Sequence, residues 1–258
     1  MRWKITLEYD GTDFAGWQFQ PGQRTLQGTL EDALTRLCDH PVTVSVSGRT
    51  DAGVHALAQV ASFQTSAKRD ERAIRAGLNA FLPLDFACVR AEPVEDAFDA
   101  RYWSWGKHYR YTWLVRDSRS PLTRTRAWHL RGLDAAPMAE AVGAIVGRHD
   151  FTSFRAQGCA ASHPNRTIEA ATVTAEGDLV HLDVHGQGFL RHMVRIIAGT
   201  LAEVGAGKRA PRFVAHALAA RDRTAAGQTA PPNGLTLIEA KFGDGPPPWI
   251  DPDPEPAE

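Results

Sequence analysis

Hydrophobic positions in the first half of the chain alternate between strand and helix spacing. Apolar and polar side chains alternate from Lys4 to Tyr9, which is typical of a half-buried strand. Leucines then recur at helical spacing from Leu26 to Leu37, which predicts an amphipathic helix. Further apolar patterns predict a strand through Val42, Val44 and Val46, a strand from Leu57 to Phe63, and a helix through Ile74, Leu78 and Phe81 that ends at Leu82-Pro83.

The second half repeats this order of elements, beginning with a β-rich run from Tyr109 to Trp113. The patterns that follow predict a helix through Met138, Val142 and Ile145 capped by Gly147, strands from Ile168 to Thr174 and from Leu179 to Val184, a helix through Leu190, Val194, Ile197, Leu201 and Val204, a helix from Phe213 to Ala220, and a strand from Leu235 to Phe242. Strands and helices interleave without regular βαβ alternation. We therefore expect an α+β fold with two similar domains, each a mainly antiparallel sheet with helices on one face, whose sheets meet at a cleft.

The same patterns divide the chain into three parts. We expect an N-terminal domain over residues 1–104 and a C-terminal domain over residues 105–242, with the boundary near Trp103 to Gly106. Residues 243–258 contain PPPWIDPDPEP, which predicts a flexible, proline-rich acidic tail.

Charge is unevenly distributed between the body and the tail. The formal net charge is −1, but the tail has five acidic residues and no basic one. Residues 1–242 therefore carry 29 basic against 25 acidic residues, a formal charge of +4. Short basic clusters at Lys68-Arg69, Arg119 to Arg126 and Lys208-Arg209 are either phosphate-contacting surfaces or ordinary solvated faces.

Composition excludes several classes of protein. The three cysteines, Cys38, Cys88 and Cys159, are too far apart for a disulfide framework or a CxxC pair, so we interpret them as small buried side chains. No stretch offers the roughly 18 uninterrupted apolar residues of a membrane span, and the first residues lack the apolar core of a signal peptide. The sequence therefore predicts a cytoplasmic protein without membrane attachment.

The sequence carries none of the cofactor-binding motifs considered below. His181 and His185 fall on the same side of a predicted strand as Asp183, which we interpret as a solvated sheet face. The chain contains no HExxH motif, no zinc-deaminase signature, no GxSxG elbow and no GxGxxG fingerprint. The GAGK at 205–208 fails as a phosphate loop because Ala202 replaces its first glycine and Arg209 its last residue. We predict no metal and no cofactor.

The densest polar segment is the GRTDAGVH at Gly48 to His55, between two predicted strands. Its two glycines permit unusual backbone angles and the small Ala52 allows close approach, so the loop can hold Asp51 at the end of a sheet. The alternative is that Asp51 only hydrogen-bonds a turn, as aspartate often does. Spacing alone leaves both readings open.

A family resemblance extends well beyond this loop. GRTDAGVHA resembles the signature of the TruA family of tRNA pseudouridine synthases. The following segments resemble that family in the same order: EYDGTDFAGWQFQ (Glu8 to Gln20), TLQGTLE (Thr25 to Glu31), AGLNAFLP (Ala76 to Pro83), FDAR (Phe98 to Arg101), KHYRY (Lys107 to Tyr111), DFTSFR (Asp150 to Arg155), GFLRHMVR (Gly188 to Arg195) and Gly234-Leu235. The likeness covers about residues 3 to 242, and loosens between Arg155 and Ile168.

The resemblance implies an enzyme that converts uridine to pseudouridine in the tRNA anticodon arm, at positions 38 to 40, as a homodimer and without a cofactor. By the same resemblance Asp51 is the nucleophile, Tyr109 contacts the target base, and Arg195 pairs with the aspartate. Arg191 lies one helical turn before Arg195, so we expect both on one helix face. The predicted substrate contacts are Tyr109, Arg49, His55, Arg191 and Leu235.

Other readings of these residues differ in what they require. Without the resemblance, Tyr109 is a strand-core aromatic and Arg195 a surface cation. An RNA-binding protein without chemistry would need no aspartate at position 51. A glycosidase acting on nucleosides would need a second positioned acid, and the loop supplies only Asp51.

Overall fold

The structure, a computed structural model, describes residues 1–248. Its strands are β1 (Arg2–Tyr9), β2 (Val44–Val46), β3 (His55–Gln64), β4 (Phe86–Val94), β5 (Ser104–Val115), β6 (Trp128–Leu130), β7 (Gly147–Asp150), β8 (Asn165–Glu176), β9 (Leu179–Gly186) and β10 (Leu235–Phe242). Its α-helices are α1 (Leu26–Cys38), α2 (Glu71–Phe81), α3 (Ala135–Val142), α4 (Met193–Gly205) and α5 (Phe213–Ala220).

The described strands form one ten-stranded sheet. Its main path runs β4-β1-β3-β10-β5-β9-β8-β7, with β2 paired to β3 and β6 paired to β5. All pairs are antiparallel except β3 with β10 and β5 with β6. The late strand β10 lies between β3 and β5, so it joins the strands of the two halves. The predicted α+β class with mainly antiparallel pairing is confirmed.

Side-chain alternation gives the sheet an apolar face and a polar face. Trp3, Ile5 and Leu7 of β1 are buried, as are Tyr111 and Trp113 of β5, while the residues between them are more exposed. Helices contribute the other half of the core, because α1 buries its leucines and nearly all of α4 is buried. Each fully buried leucine or isoleucine stabilises the fold by roughly 1.5–3 kcal/mol relative to an exposed one.

Two helix boundaries differ from the sequence prediction. Helix α4 begins at Met193 and not at Leu190, because His192 adopts a left-handed conformation that no helix can contain. Helix α3 ends at Val142, so Gly147 is not its cap; with φ of 107°, Gly147 instead opens β7. Strands β4, β6 and β7 were not predicted; β6 and β7 are three and four residues long, too short for a clear alternating pattern.

The outer, polar face of the sheet carries His181, Asp183 and His185 of β9. Asp183 accepts hydrogen bonds from His108 at 2.6 Å and from Arg110 Nε at 3.0 Å, across the β5–β9 pair. The neighbouring His185 ring stacks on His108, with ring centroids 3.9 Å apart. Within residues 1–248, no group of three or more His, Cys, Asp or Glu side chains is arranged to hold a metal ion.

Three further predictions concern the tail, the cysteines and the membrane. Trp105 Nε1 donates to the carbonyl of Gly245 at 2.7 Å, so the first tail residues contact β5; residues 249–258 of the predicted tail lie outside the described residues. Cys38 and Cys88 are buried as predicted, but Cys159 is half-buried because it lies in a loop. Among the described helices, none has the length and apolarity to cross a membrane.

Candidate active site

The loop that carries Asp51 joins β2 to β3, and its residues before Asp51 are held by several hydrogen bonds. The Thr50 hydroxyl lies 2.8 Å from the Tyr9 hydroxyl, and the Thr50 carbonyl accepts from the backbone N–H of Trp17 at 3.0 Å. At the start of the loop, Gln59 Nε2 donates to the carbonyl of Gly48 at 2.9 Å. These partners come from β1, β3 and the segment after β1, so the loop is held by the sheet itself.

Gly11 lets the segment after β1 press against the end of this loop. A Cβ at Gly11 would lie 2.0 Å from the Val54 carbonyl oxygen, so no larger residue fits. The Gly11 N–H donates to His55 Nδ1 at 3.1 Å. Burial lowers the pKa of His55 most, against the opposing effect of the Asp10 carboxylate, whose Oδ1 also lies 3.1 Å from His55 Nδ1. His55 is fully buried, and in this structure it supports the loop.

Arg195 of α4 reaches Asp51 across 144 residues of sequence. Its Nη1 donates to Asp51 Oδ2 at 3.2 Å, and its Nε donates to the carbonyl of Ala230 at 2.9 Å. The Asp51 side chain retains 29% of its exposure and that of Arg195 only 13%. The Asp51 carboxylate is therefore partly open: it is paired with Arg195 and retains part of its exposure.

The segment around Ala230 approaches α4 closely because of a glycine. A Cβ at Gly199 would lie 1.8 Å from the Gln228 carbonyl oxygen. The Ala230 N–H donates to the Arg195 carbonyl at 3.0 Å, and Tyr111 donates its hydroxyl to the Pro231 carbonyl at 2.9 Å. The guanidinium of Arg195 is thus held in one orientation before any substrate binds.

Tyr109 lies on the inner face of β5, next to this pair. Its side chain is 7% exposed and packs edge-on against Phe189, with ring centroids 5.0 Å apart. Burial raises the pKa of the Tyr109 hydroxyl well above its usual value, and the nearby Asp51 charge raises it further. The residue therefore presents a neutral phenol and an apolar ring.

Lys107 lies two residues before Tyr109 on β5, against the start of the loop that carries Asp51. A Cβ at Gly48 would lie 2.7 Å from Lys107 Cε, and Lys107 Nζ is 3.3 Å from the Ser104 hydroxyl. Burial lowers the pKa of Lys107 to about 8. A partly desolvated ammonium with one side-chain partner destabilises the fold at neutral pH.

The remaining predicted contacts are scattered around this centre. Arg49 is exposed at the loop, and Leu235 is buried where β10 begins, opposite Tyr111. Arg191 is exposed and donates to the carbonyls of Gln157 and Gly158, both at 3.4 Å. The expectation that Arg191 and Arg195 share a helix face is wrong, because α4 begins only after Arg191.

Sequence reasoning missed His192. Its Nε2 lies 3.6 Å from Asp51 Oδ2, the oxygen that Arg195 also contacts. The signal that could have found it is its place three residues before Arg195 in GFLRHMVR. Residues three apart share a helix face, but α4 begins only at Met193, and His192 lies before it in a left-handed conformation.

One basic cluster is connected to the site by side chains. Arg126 Nη2 lies 3.2 Å from Asp10 Oδ2, and Asn233 Nδ2 donates to the carbonyls of Arg124 and Ala127, each at 2.9 Å. The loop that contains Arg119 to Arg126 is therefore tied to the segment leading into β10. The other two clusters make local contacts: Arg209 pairs with Glu203 at 3.5 Å, and Arg69 donates to the Leu37 carbonyl at 3.3 Å.

Comparison with known proteins gives a consistent result. A family model described as tRNA pseudouridine synthase matches residues 5–103 and 141–243. The chain is 48% identical over 240 residues to tRNA pseudouridine synthase A of Geobacter sulfurreducens, covering 93% of this chain and 98% of that protein. It is 49% identical over 240 residues to the protein of that name from Geotalea uraniireducens, with the same coverage, and 48% identical over 248 residues to that of Myxococcus xanthus, covering 95% of this chain and 94% of the relative.

Proposed function

The chain belongs to the tRNA pseudouridine synthase family, and we propose that it isomerises uridine to pseudouridine in the anticodon arm of tRNA with Asp51 as the nucleophile. The observation that carries the assignment of the nucleophile is the Asp51–Arg195 pair. A partly exposed carboxylate with a fixed, permanently charged partner on one side has its other side free to react.

The reaction breaks the bond between uracil N1 and ribose C1′, turns the base, and joins C5 to C1′. The C5 proton is lost to solvent, a proton is gained at N1, and no electrons are exchanged. Asp51 adds to the flipped nucleotide at C1′ or C6 and leaves again when the new bond forms. Arg195 stays paired with one oxygen of this carboxylate, because Ala230 anchors the guanidinium independently.

Tyr109 supports this chemistry by receiving the base. A stacked base hides C1′ and C6, so the uridine must leave its helix at a cost of a few kcal/mol. Stacking on an aromatic ring returns about 1–3 kcal/mol per base. The raised pKa of the Tyr109 hydroxyl makes it a poor proton acceptor at neutral pH, which favours a contact role over a base role.

RNA contact extends outward from this centre. We assign the Arg119 to Arg126 loop to the RNA backbone, since it is the basic cluster tied to the site, and Arg49 to a phosphate beside the flipped nucleotide. We also propose that residues 1–104 and 105–242 act as two domains, that the chain works as a cytoplasmic homodimer, and that the dimer builds a larger basic cleft than the monomer. Light scattering with and without tRNA tests the dimer.

The function is tested with purified protein and an unmodified tRNA transcript carrying uridines at positions 38, 39 and 40. Pseudouridine is located by adduct-stalled reverse transcription, and a transcript with cytidines at those three positions is the matched control. We expect stops at these positions in the first transcript and none in the control. An RNA-binding protein without chemistry would bind both transcripts and modify neither, and modification elsewhere in the tRNA would contradict the proposed position.

A further inference from the structure

His192 has a backbone conformation that its position does not explain. Its φ of 60° and ψ of 7° are left-handed, and among the described residues only Asp39 and Arg221 share this with it outside glycine. Asp39 and Arg221 follow the last residues of α1 and α5, where left-handed residues commonly end helices. His192 precedes a helix, where the capping residue is normally extended. A strained conformation kept at such a place suggests a role for the side chain.

The strained backbone directs the imidazole toward Asp51. His192 Nε2 lies 3.6 Å from Asp51 Oδ2, and Arg195 Nη1 lies 3.2 Å from the same oxygen. Within residues 1–248 the structure gives neither ring nitrogen of His192 a hydrogen bond, so Asp51 is its polar neighbour. A separation of 3.6 Å is a few tenths of an ångström beyond a hydrogen bond, and such bonds are often long before substrate binds.

The groups around His192 favour its neutral form. Burial lowers its pKa most, and the guanidinium groups of Arg195 on α4, Arg191 before it and Arg223 in the 223–225 turn lower the pKa further; only Asp51 raises it. At neutral pH the ring therefore has one N–H, which Asp51 can accept at Nε2. Below its pKa the ring becomes a second cation on a carboxylate that already has one.

We propose that His192 is a positioning residue for the nucleophile: its Nε2–H and the Arg195 guanidinium hold the same carboxylate oxygen of Asp51, so that the other oxygen, Oδ1, faces the flipped nucleotide. Two donors on Oδ2 from residues three apart prevent the carboxylate from rotating. One donor would leave that rotation free. The inference rests on the proposed role of Asp51.

Two substitutions separate the role of the His192 imidazole from that of its left-handed backbone. His192→Gly accepts the left-handed conformation and removes the ring, while His192→Asn also tolerates that conformation and keeps an uncharged amide that does not titrate. His185→Asn, on the outer face of the sheet, is the matched histidine control. Each protein is assayed at saturating enzyme for the single-turnover release of tritium from C5 of uridine in a tRNA transcript, and for tRNA affinity.

We expect His192→Gly to slow the single turnover about 10- to 150-fold at neutral pH, the range for one hydrogen bond to a charged group. Affinity for tRNA should stay within about twofold, because His192 acts through Asp51. The wild-type rate should fall as pH drops below the pKa of His192, which lies below that of an ordinary histidine, because there the ring becomes a second cation on Asp51. We expect both His192 variants to lack this fall in rate at low pH, the acid limb of the pH–rate profile, and His185→Asn to keep it.

A wild-type rate with an unchanged acid limb in His192→Gly overturns the proposal, and so does a loss confined to tRNA affinity. If His192→Gly fails to fold, His192→Asn decides alone: an acid limb that persists overturns the proposal and one that disappears supports it. Asp51→Asn protein in the same assay keeps the two claims apart. Activity in that variant contradicts the proposed function, whereas an inactive Asp51→Asn beside a normal His192→Gly contradicts only the role of His192.

Discussion

Replacing Arg195 with lysine keeps a positive charge beside Asp51 and removes the forked geometry that holds it. The guanidinium serves two acceptors at once, Ala230 O at 2.9 Å and Asp51 Oδ2 at 3.2 Å. A lysine has one ammonium group on an unbranched stem and prefers to remain hydrated. It can therefore keep the carbonyl or the carboxylate in place, but not both with the same geometry.

The expected loss follows from the bond to Asp51. A hydrogen bond between charged groups contributes about 1.5–3 kcal/mol, which corresponds to a roughly 10- to 150-fold slower single turnover. Arg209→Lys is the matched control, because Arg209 is exposed and its 3.5 Å contact goes to Glu203, away from Asp51. We expect it to change the rate less than about threefold, as is usual for a surface contact.

The assay is single-turnover tritium release from C5 of uridine with enzyme in excess, accompanied by urea unfolding of each variant. Urea unfolding establishes that Arg195→Lys is folded at the assay temperature. An Arg195→Lys enzyme as fast as the wild type would refute the argument that the fork matters. Equal losses in the Arg195 and Arg209 variants would attribute the effect to a general change of arginine to lysine and not to the fork at Asp51.

Substitutions at Tyr109, Lys107 and Gly11, with Gly143 as a control, test the loop and its surroundings. Tyr109→Phe should keep tRNA affinity within about twofold while Tyr109→Ala loses about 1–3 kcal/mol of binding, measured by filter binding; equal losses would count against stacking. Lys107→Met should raise the free energy of unfolding by about 1–2 kcal/mol at pH 7, measured by urea unfolding, because a buried ammonium destabilises the native state. This stabilisation should shrink between about pH 8 and 10.5, because there the native lysine has lost the proton that the unfolded lysine keeps. Gly11→Ala should lower the free energy of unfolding by about 1–3 kcal/mol, because its methyl group would clash with Val54. The control Gly143→Ala, where no atom lies within 4 Å, should be neutral or slightly stabilising. A Gly11→Ala protein as stable as the wild type would mean that the loop can move away.

Regular elements with strong periodicity could be predicted from the sequence. The helix from Phe213 to Ala220 and the strand from Leu235 to Phe242 have the predicted boundaries. The sequence also predicts the apolar stripe of α4, but not its first residue. The start of α4 depends on the left-handed backbone of His192, which no local pattern of hydrophobic residues encodes.

The pairing of Asp51 with Arg195 was expected from the family resemblance and not from spacing. Composition and periodicity cannot bring together two residues 144 positions apart. The backbone contacts that orient Arg195 could not be predicted for the same reason. Ala230 accepts a hydrogen bond through its carbonyl, and Gly199 allows the chain near Ala230 to come close because it has no side chain. Such contributions have no signature in side-chain chemistry.

The central claim is that the Asp51 carboxylate is the nucleophile, and replacing it with an uncharged side chain of the same shape tests it most directly. Asp51→Asn and wild-type protein are compared for tRNA affinity and for tritium release from C5 of uridine at saturating enzyme. We expect affinities within a few-fold of each other and a rate lower by at least about a thousandfold, the scale at which loss of a nucleophile acts. An Asp51→Asn protein that turns over within about tenfold of the wild type would contradict the account.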